Sequence, residues 1–511
     1  MPRIFPYTRS LGLIAVIFLS LFYLRQHCLA PEDPTARTSP TNESSVRLPA
    51  RLNVETIEDS EFFERVPTTT RREDFPRPTD APNDTILKLA LPICRSLVDA
   101  NNVVLMIKTS ASDVYTSLPH QLLMLSYCVP KIMIFSDFEQ SLGRYYIHDA
   151  LKEVDAQYKD YHEDFALYRS LQANYTLSGV AALPNGLGKS SGLDRWKYIP
   201  MLHKARATYP TAKWFVGIEA NTFLGWANLL AVLNQTNPDQ PLYVGSLFTE
   251  DGGLEVPQPG PGFAISRAAM EKFESVYDAE HVSVWEADTS QSGRDGHYML
   301  ATALKSVGVE ASDAYPMFQN DTLLELTWTA DLWCKPAVSW QGVGPHELEA
   351  LWHFEQTWIR REMRQPVFER KGPYLYRDLF RHFVQPYLDH SKENWNNLAE
   401  DRVFTEPGKD QDDDKNHIIW EGWDDFQRSS VTSVDKCVEV CESDPECMMW
   451  SWETGTCRHH HSIRLGHQVD PDVKMVSGWL MNRVDEFRWR QEMCEGLADW
   501  LRFHPATIKG G

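Results

Sequence analysis

From about residue 88 onward, apolar positions follow two alternating rhythms. Short runs rich in β-branched and aromatic residues, at 103–107, 132–135, 214–218 and 242–247, read as strands buried on both faces. Between them, 119–127, 147–158 and 196–209 carry helical spacing, and Pro210 closes the last of these. Strands alternating with helices predict an α/β sheet that binds its ligand beyond the carboxyl ends of the strands. The residues following the runs are therefore the first candidates for chemistry: Lys108-Thr109-Ser110, Ser136-Asp137 and Glu219-Ala220-Asn221-Thr222.

Ahead of this body the pattern differs. Residues 11–24 (LGLIAVIFLSLFYL) are apolar apart from Ser20, with Arg3 and Arg9 before them and Arg25 after. The run is shorter than the roughly 20 residues a helix needs to cross a bilayer, so flanking Tyr7 and His27 have to assist. It reads as a cleaved signal peptide, with Cys28-Leu29-Ala30 as a weak cleavage site, or as an uncut anchor; Pro31 argues against cleavage. The expectation is a transmembrane signal anchor over 11–24, a cytoplasmic tail over 1–10 and a lumenal remainder. Residues 25–87, rich in Pro, Thr, Ser and charge and without apolar periodicity, read as an extended stem.

Sequons at Asn42, Asn83, Asn174, Asn234 and Asn320 suit a lumenal body. So do the cysteines, since eight of nine lie in the body from Cys94 onward and four fall within Cys437 to Cys457. The combined expectation is a single-pass type II Golgi membrane protein. Charge removes one class of partner: 50 Lys plus Arg against 71 Asp plus Glu leave a net −21, which excludes a basic nucleic-acid binder.

The residues at the strand ends belong to a longer ordered set. Lys108-Thr109-Ser110-Ala111-Ser112-Asp113, Phe135-Ser136-Asp137, Asp194-Arg195-Trp196-Lys197-Tyr198 and the run from Trp214 through Glu219-Ala220-Asn221 to Phe223 come first. Gly260-Pro261-Gly262-Phe263, Arg294-Asp295-Gly296, Leu351-Trp352-His353-Phe354 and Asn394-Trp395-Asn396-Asn397-Leu398 follow. In order and rough spacing this set resembles glycosyltransferase family 31, the fringe and core-1 β-1,3-galactosyltransferase family, most nearly its fungal branch. The resemblance covers residues 88–400.

The resemblance implies an α/β GT-A (Rossmann-like) glycosyltransferase domain and inverting transfer of a galactose-type hexose from a UDP-sugar donor to a glycan or glycoprotein hydroxyl. Such transfer needs a carboxylate to take the acceptor proton and a cation for the leaving diphosphate, here Mn²⁺ or another hard ion. It makes Asp295 the catalytic base, the alternative being a plain N-cap of the following helix. It places Lys108, Thr109, Asp137, Asp194, Lys197 and Gly262 at the nucleotide-sugar, although Asp194 and Lys197 also read as a solvated helix face and Asp137 as a turn cap. Glu219 and Asn221 occupy the metal position, where Glu219 could equally be a surface acid.

Two departures from the family pattern weaken that metal site. Asn221 is an amide where the pattern ends in a carboxylate, and Gln341-Gly342 replaces a histidine pair. Both lower the expected metal affinity and open a second reading, a degenerate transferase that binds glycans or serves as a scaffold.

Beyond residue 400, an acidic stretch over 401–416 reads as a linker and 486–511 as a tail. Between them, residues 417–485 carry Cys437-x3-Cys441 on one helical face and Cys447 and Cys457 around a strand-like run. This pattern, closing on Ser477-Gly478-Trp479, resembles a small disulfide-rich α+β PAN/apple-like module, either a binding domain or a structural appendage. The resemblance implies nested bridges, Cys437 with Cys457 and Cys441 with Cys447. In the first domain Cys94 and Cys128 are placed to tie the first strand to the following helix, and Cys334 has only Cys494 as a partner. Three adjacent histidines, His459 to His461, cannot all face one ion and are not read as a zinc site.

Overall fold

A computed structural model describes residues 94, 97–178, 192–250, 253–366, 372–407, 422–492 and 494. All of these fall in one compact unit, Asn83–Gly511. The expected anchor and stem, with Asn42 and Asn83, lie outside the described residues; among the described residues no helix is long and apolar enough to cross a membrane.

The body is built on an eight-stranded mixed sheet. Its strands are β1 (Val103–Lys108), β2 (Ile132–Ser136), β3 (Gln140–Leu142), β4 (Tyr145–Asp149), β5 (Trp214–Glu219), β6 (Tyr243–Gly245), β7 (Phe263–Ser266) and β8 (Ala311–Asp313). Their spatial order is β8-β6-β7-β5-β1-β2-β4-β3. Strands β5, β1, β2 and β4 run parallel, while β7 and β3 are antiparallel to their neighbours.

Strand β1 is buried along its whole length, and the pleat divides its side chains between two layers. Val103, Leu105 and Ile107 pack with Leu118, Leu122 and Leu125 of helix α1 (Leu118–Cys128), where spacings of four and three put the leucines on one face. Val104 and Met106 pack on the other side with Met201, Leu202 and Ala205 of helix α2 (Tyr198–Thr208) and Leu300 and Leu304 of helix α3 (Gly296–Ser306). Helices α2 and α3 both enter at the carboxyl ends of the parallel strands, so their first turns meet over one edge of the sheet. Cys94 is bonded to Cys128 at the end of α1.

Two expectations about elements need correction. Residues 147–158 are not one helix: Tyr145–Asp149 is strand β4, and only Ala156–Tyr161 is helical. Ile147 pairs with Ile134 and is fully buried, while Tyr146 faces outward, so pairing with β2 overrides a weak helical spacing. The run 242–247 is also divided, into β6 and a separate hairpin formed by Leu247–Thr249 and Glu255–Pro257.

The C-terminal module is a five-stranded sheet carrying helix Val434–Ser443. In order its strands are Lys392–Glu393, Val476–Trp479, Met449–Glu453, Thr456–His460 and Arg402–Thr405. Cys437 is bonded to Cys457 and Cys441 to Cys447. The stretch 401–416 therefore opens as a strand rather than a linker, because Val403 and Phe404 bury against the module while the acidic run follows them; residues 408–416 lie outside the described residues. The tail expected from 486 likewise begins inside helix Met481–Arg490, and Cys494 is bonded to Cys334. Trp328, Trp333 and Phe380 of the first domain share one core with Met449, Ile463, Trp479 and Val484 of the module. The two domains are thus fused through a common apolar interior.

Candidate active site

Register brings the first two functional side chains together. Lys108 and Glu219 are partners across parallel strands β1 and β5, each the last residue of its strand. Pleat alternation turns both toward α2. Lys108 is 5% exposed, and its Nζ stands 3.0 Å from Glu219 Oε1 and 3.0 Å from Asp194 Oδ2. It also lies over the Tyr198 ring, 5.2 Å from the centroid. Tyr198 completes the cluster by donating from its hydroxyl to Glu219 Oε1 at 3.1 Å.

A second lysine supports the first from beneath. Lys197 is fully buried; its Nζ donates to Asp194 Oδ1 at 2.7 Å and to the Thr109 carbonyl at 3.0 Å, with Asp137 Oδ2 at 3.6 Å. Asp137 in turn accepts from the Ala111 N–H at 2.5 Å and the Ser136 hydroxyl at 3.1 Å, which fixes the loop after β1. Burial alone raises a carboxyl, but Lys197 and Lys108 outweigh it at Asp194 and hold its pKa at about 2. Burial likewise works against the Lys108 ammonium, yet Tyr198, Glu219 and Asp194 raise its pKa well above the ordinary lysine value.

These groups form one wall of a cleft of about 390 Å³ at the carboxyl ends of the strands. Lys108, Thr109, Asp194, Glu219, Asn221 and Asp295 all line it, although they come from four separate stretches of chain. Asp137, Lys197 and Gly262 do not line it. The first two are buried supports of the wall rather than contacts for a ligand. Gly262, at φ +94°, lies against the Gly217 carbonyl, where any Cβ would stand 2.5 Å from that oxygen. The turn it belongs to is pinned by hydrogen bonds from Thr222 Oγ1 to the Gly260 carbonyl and from Ser339 Oγ to the Pro261 carbonyl, both 2.6 Å.

Asp295 occupies the N-cap position of α3, yet its side chain makes no capping bond. It is exposed at the cleft. The close approach of α3 depends on Gly296, where a Cβ would meet the Tyr198 ring at 2.5 Å and the Asp194 carbonyl at 2.7 Å. Gln341 reaches the cleft from a small sheet in which Ser339–Trp340 pairs with Phe223–Leu224, and it packs against Gly260. Sequence reasoning missed His297 and Glu250. His297 lines the cleft within the first turn of α3, and Glu250 Oε1 stands 3.6 Å from its Nε2. A single histidine on an amphipathic helix gives no signal, and Glu250 lies in a loop.

Four carboxylates (Asp113, Asp194, Glu219, Asp295) against one ammonium (Lys108) give the cleft lining a formal charge of −3, which suits a cation. Its donors do not make a resident cage. Glu219 Oε1 already serves Lys108 and Tyr198, and Asn221 brings an uncharged carbonyl. Among the described residues, the one group of three ligand types within coordinating reach is Cys437, Cys457 and His459, whose sulfurs are joined in a disulfide. Glu219 Oε2 and the Asn221 carbonyl are the strand-end oxygens left to ligate a cation.

Comparison with known proteins decides the smaller module. Its family, described as PAN-like domain, matches residues 420–470. Residues 420–470 are a PAN-like domain. Over 91 residues, 17% of this chain, the sequence is 32% identical to glycoprotein-N-acetylgalactosamine 3-beta-galactosyltransferase 1 of Xenopus laevis. The match spans 25% of that protein's length. Among solved structures, a glycosyltransferase involved in glycosylation of the major capsid of PBCV-1 aligns with 49% of this chain and 99% of its own, at 8% identity and a TM-score of 0.24. The 4-diphosphocytidyl-2C-methyl-D-erythritol synthase of Anaerococcus prevotii aligns with 42% of this chain and 88% of its own, at 10% identity and a TM-score of 0.18. Both scores lie below the level that marks a common fold. Two of the four disulfides among the described residues, Cys437–Cys457 and Cys441–Cys447, lie within the PAN-like domain.

Proposed function

We propose that the chain is a type II Golgi membrane glycosyltransferase with a GT-A domain. It transfers a galactose-type hexose from a UDP-sugar to a glycan or glycoprotein hydroxyl, with inversion and β-1,3-type linkage. The observation that carries this reading is the convergence of Lys108, Asp194, Glu219, Asn221 and Asp295 on one cleft, with the Asp295 carboxylate free of the helix it precedes. The ordered motifs of glycosyltransferase family 31 and the partial identity to a 3-beta-galactosyltransferase support it.

In the proposed reaction the acceptor oxygen gives its proton to Asp295 and forms a bond to the anomeric carbon of the donor. The bond from that carbon to the diphosphate breaks, and UDP leaves with the electron pair. Glu219 and Asn221 would hold a divalent ion, which would supply charge neutralisation for the departing diphosphate. Lys108, fixed by Glu219 and Asp194, keeps the wall rigid, and Thr109 offers a buried hydroxyl with no hydrogen-bond partner among the described residues. The exposed sequons Asn234 and Asn320 support a lumenal body.

Asn221 and the prior engagement of Glu219 favour a second reading, a weakly active or inactive member that binds glycans or acts as a scaffold through its PAN-like domain. Full-length protein in detergent, incubated with Mn²⁺, a panel of UDP-hexoses and acceptor glycans, separates the two. Released UDP together with an extended glycan, lost in Asp295→Asn, is the expected result; binding of glycan without transfer would establish the scaffold.

A further inference from the structure

His297 is 5% exposed although it lines the cleft, and its Nε2 makes no hydrogen bond to any described residue. Glu250 Oε1, at 3.6 Å, is beyond hydrogen-bond length, and the other oxygen of Glu250 accepts from Arg294 Nη1 at 3.0 Å. The imidazole packs against the Phe248 ring, with centroids 5.4 Å apart. A histidine that only fills a core finds partners for its ring nitrogens, because a buried polar atom without one carries a desolvation penalty. Here the Arg294–Glu250 pair stands beside the ring and leaves that nitrogen without a hydrogen bond.

Burial favours the neutral ring. Burial pushes the His297 pKa below its ordinary value and outweighs the raising effects of Asp295 and Glu250. A neutral imidazole suits a hydroxyl, which both donates and accepts, better than a phosphate, for which Lys108 is the available cation. Depth assigns which hydroxyl. Asp295, the group that would meet the acceptor, is exposed at the mouth, and His297 lies buried two residues further on. An acceptor that meets Asp295 occupies the mouth, which leaves the deeper position to the donor.

Resting on the transferase reading above, we propose that His297 binds a ring hydroxyl of the donor hexose, with Glu250 and Arg294 as positioning residues for its imidazole. It is a sugar-reading residue and takes no part in holding the nucleotide.

The test compares UDP with a panel of UDP-hexoses, each titrated calorimetrically with Mn²⁺ into full-length wild type, His297→Phe, His297→Asn and Glu250→Gln. The donor that wild type binds more tightly than UDP is the probe. His297→Phe should weaken that donor about tenfold while leaving UDP within about twofold, and Glu250→Gln should weaken it less. His297→Asn, which keeps a hydrogen-bonding side chain, should recover part of the loss and covers the case in which the larger change does not fold. Equal losses for UDP and donor, or no loss for the donor, would overturn the proposal while nucleotide binding by wild type left the transferase reading standing. A wild type that binds UDP but prefers no hexose would also overturn it. Failure to bind any nucleotide would defeat the transferase reading itself, and this inference with it.

Discussion

Lys108 Nζ meets Glu219 Oε1 at 3.0 Å across the last register position of strands β1 and β5. The carboxylate expected to anchor a metal therefore already has a counter-ion supplied by the fold. Removing that ammonium leaves Glu219, mostly shielded from water, with Tyr198 alone, and the half-exposed Asp194 with Lys197 alone. Lys108→Met should therefore destabilise the protein by about 3 kcal/mol. Lys108→Met combined with Glu219→Gln should recover about half of that loss, because no unpaired charge remains at the strand ends. Denaturant unfolding of the two variants checks both values; an additive double variant would show that the pair is not coupled.

The second prediction concerns charge at position 221. Asn221 is exposed in a cleft lined by a formal −3, and it can offer an incoming ion only a carbonyl. Asn221→Asp keeps the shape and adds a full negative charge. With Mn²⁺ present, the variant should bind UDP about tenfold more tightly, because the added charge faces the ion. With chelator present it should bind more weakly than wild type, because the same charge then faces the bare diphosphate. Calorimetry under both conditions reads the sign; tighter binding in chelator would contradict the proposed metal position.

Much of this arrangement is legible before any coordinates. Strands such as Val103–Lys108 announce themselves because a strand buried on both faces must be continuously apolar, and the polar residue ending such a run marks the ligand edge. Strand β4 is misread because it is buried at Ile147 alone, and Ile147 among His148, Asp149 and Ala150 fits either period until β2 pairs with it. Arg402–Thr405 is lost in the acidic stretch that follows it, since its partner lies more than fifty residues onward. The cleft's supports are harder still. Nothing along the chain distinguishes Asp137, which braces a loop, from Asp194, which lines the site, because the difference is depth beneath the wall. His297 and Glu250 meet only through the packing of α3 against a hairpin loop.

The third prediction is a pH dependence. Glu355 is 2% exposed and accepts from the Ala227 N–H at 2.9 Å, at the start of helix Trp226–Leu233. Burial pushes its pKa to about 8, and hydrogen bonds from Ala227 and Trp226 offset this only in part. In the unfolded chain the same group ionises near the ordinary glutamate value, so between that value and about 8 the folded state binds more protons. Stability must then fall as pH rises across this window and level off above it. Glu355→Gln removes the titration while keeping a carbonyl acceptor. The melting temperature of wild type should decline more steeply than that of Glu355→Gln between pH 6 and pH 8 (about the upper half of the window); parallel curves would refute the assignment.

The last prediction asks whether the PAN-like domain is an appendage. Its Ile463 bridges to Trp328, Phe487 packs on Trp333 with ring centroids 5.3 Å apart, and Trp479 lies in the same core as Phe380. The Cys334–Cys494 bridge then closes a loop of 160 residues around this junction. A chain ending before Lys392 would lose all five strands of that sheet and would expose Trp328 and Trp333 to water; it should aggregate on expression. Cys494→Ser keeps the core intact and removes only the closure, which in the chain-entropy account contributes up to about 5 kcal/mol, with about 2–4 kcal/mol usually realised. Because the core is shared, this variant should still unfold in a single calorimetric transition, at a lower temperature than wild type. Two resolved transitions in wild type, one of them unchanged by Cys494→Ser, would show instead that the domains fold independently and that their contact is incidental to either.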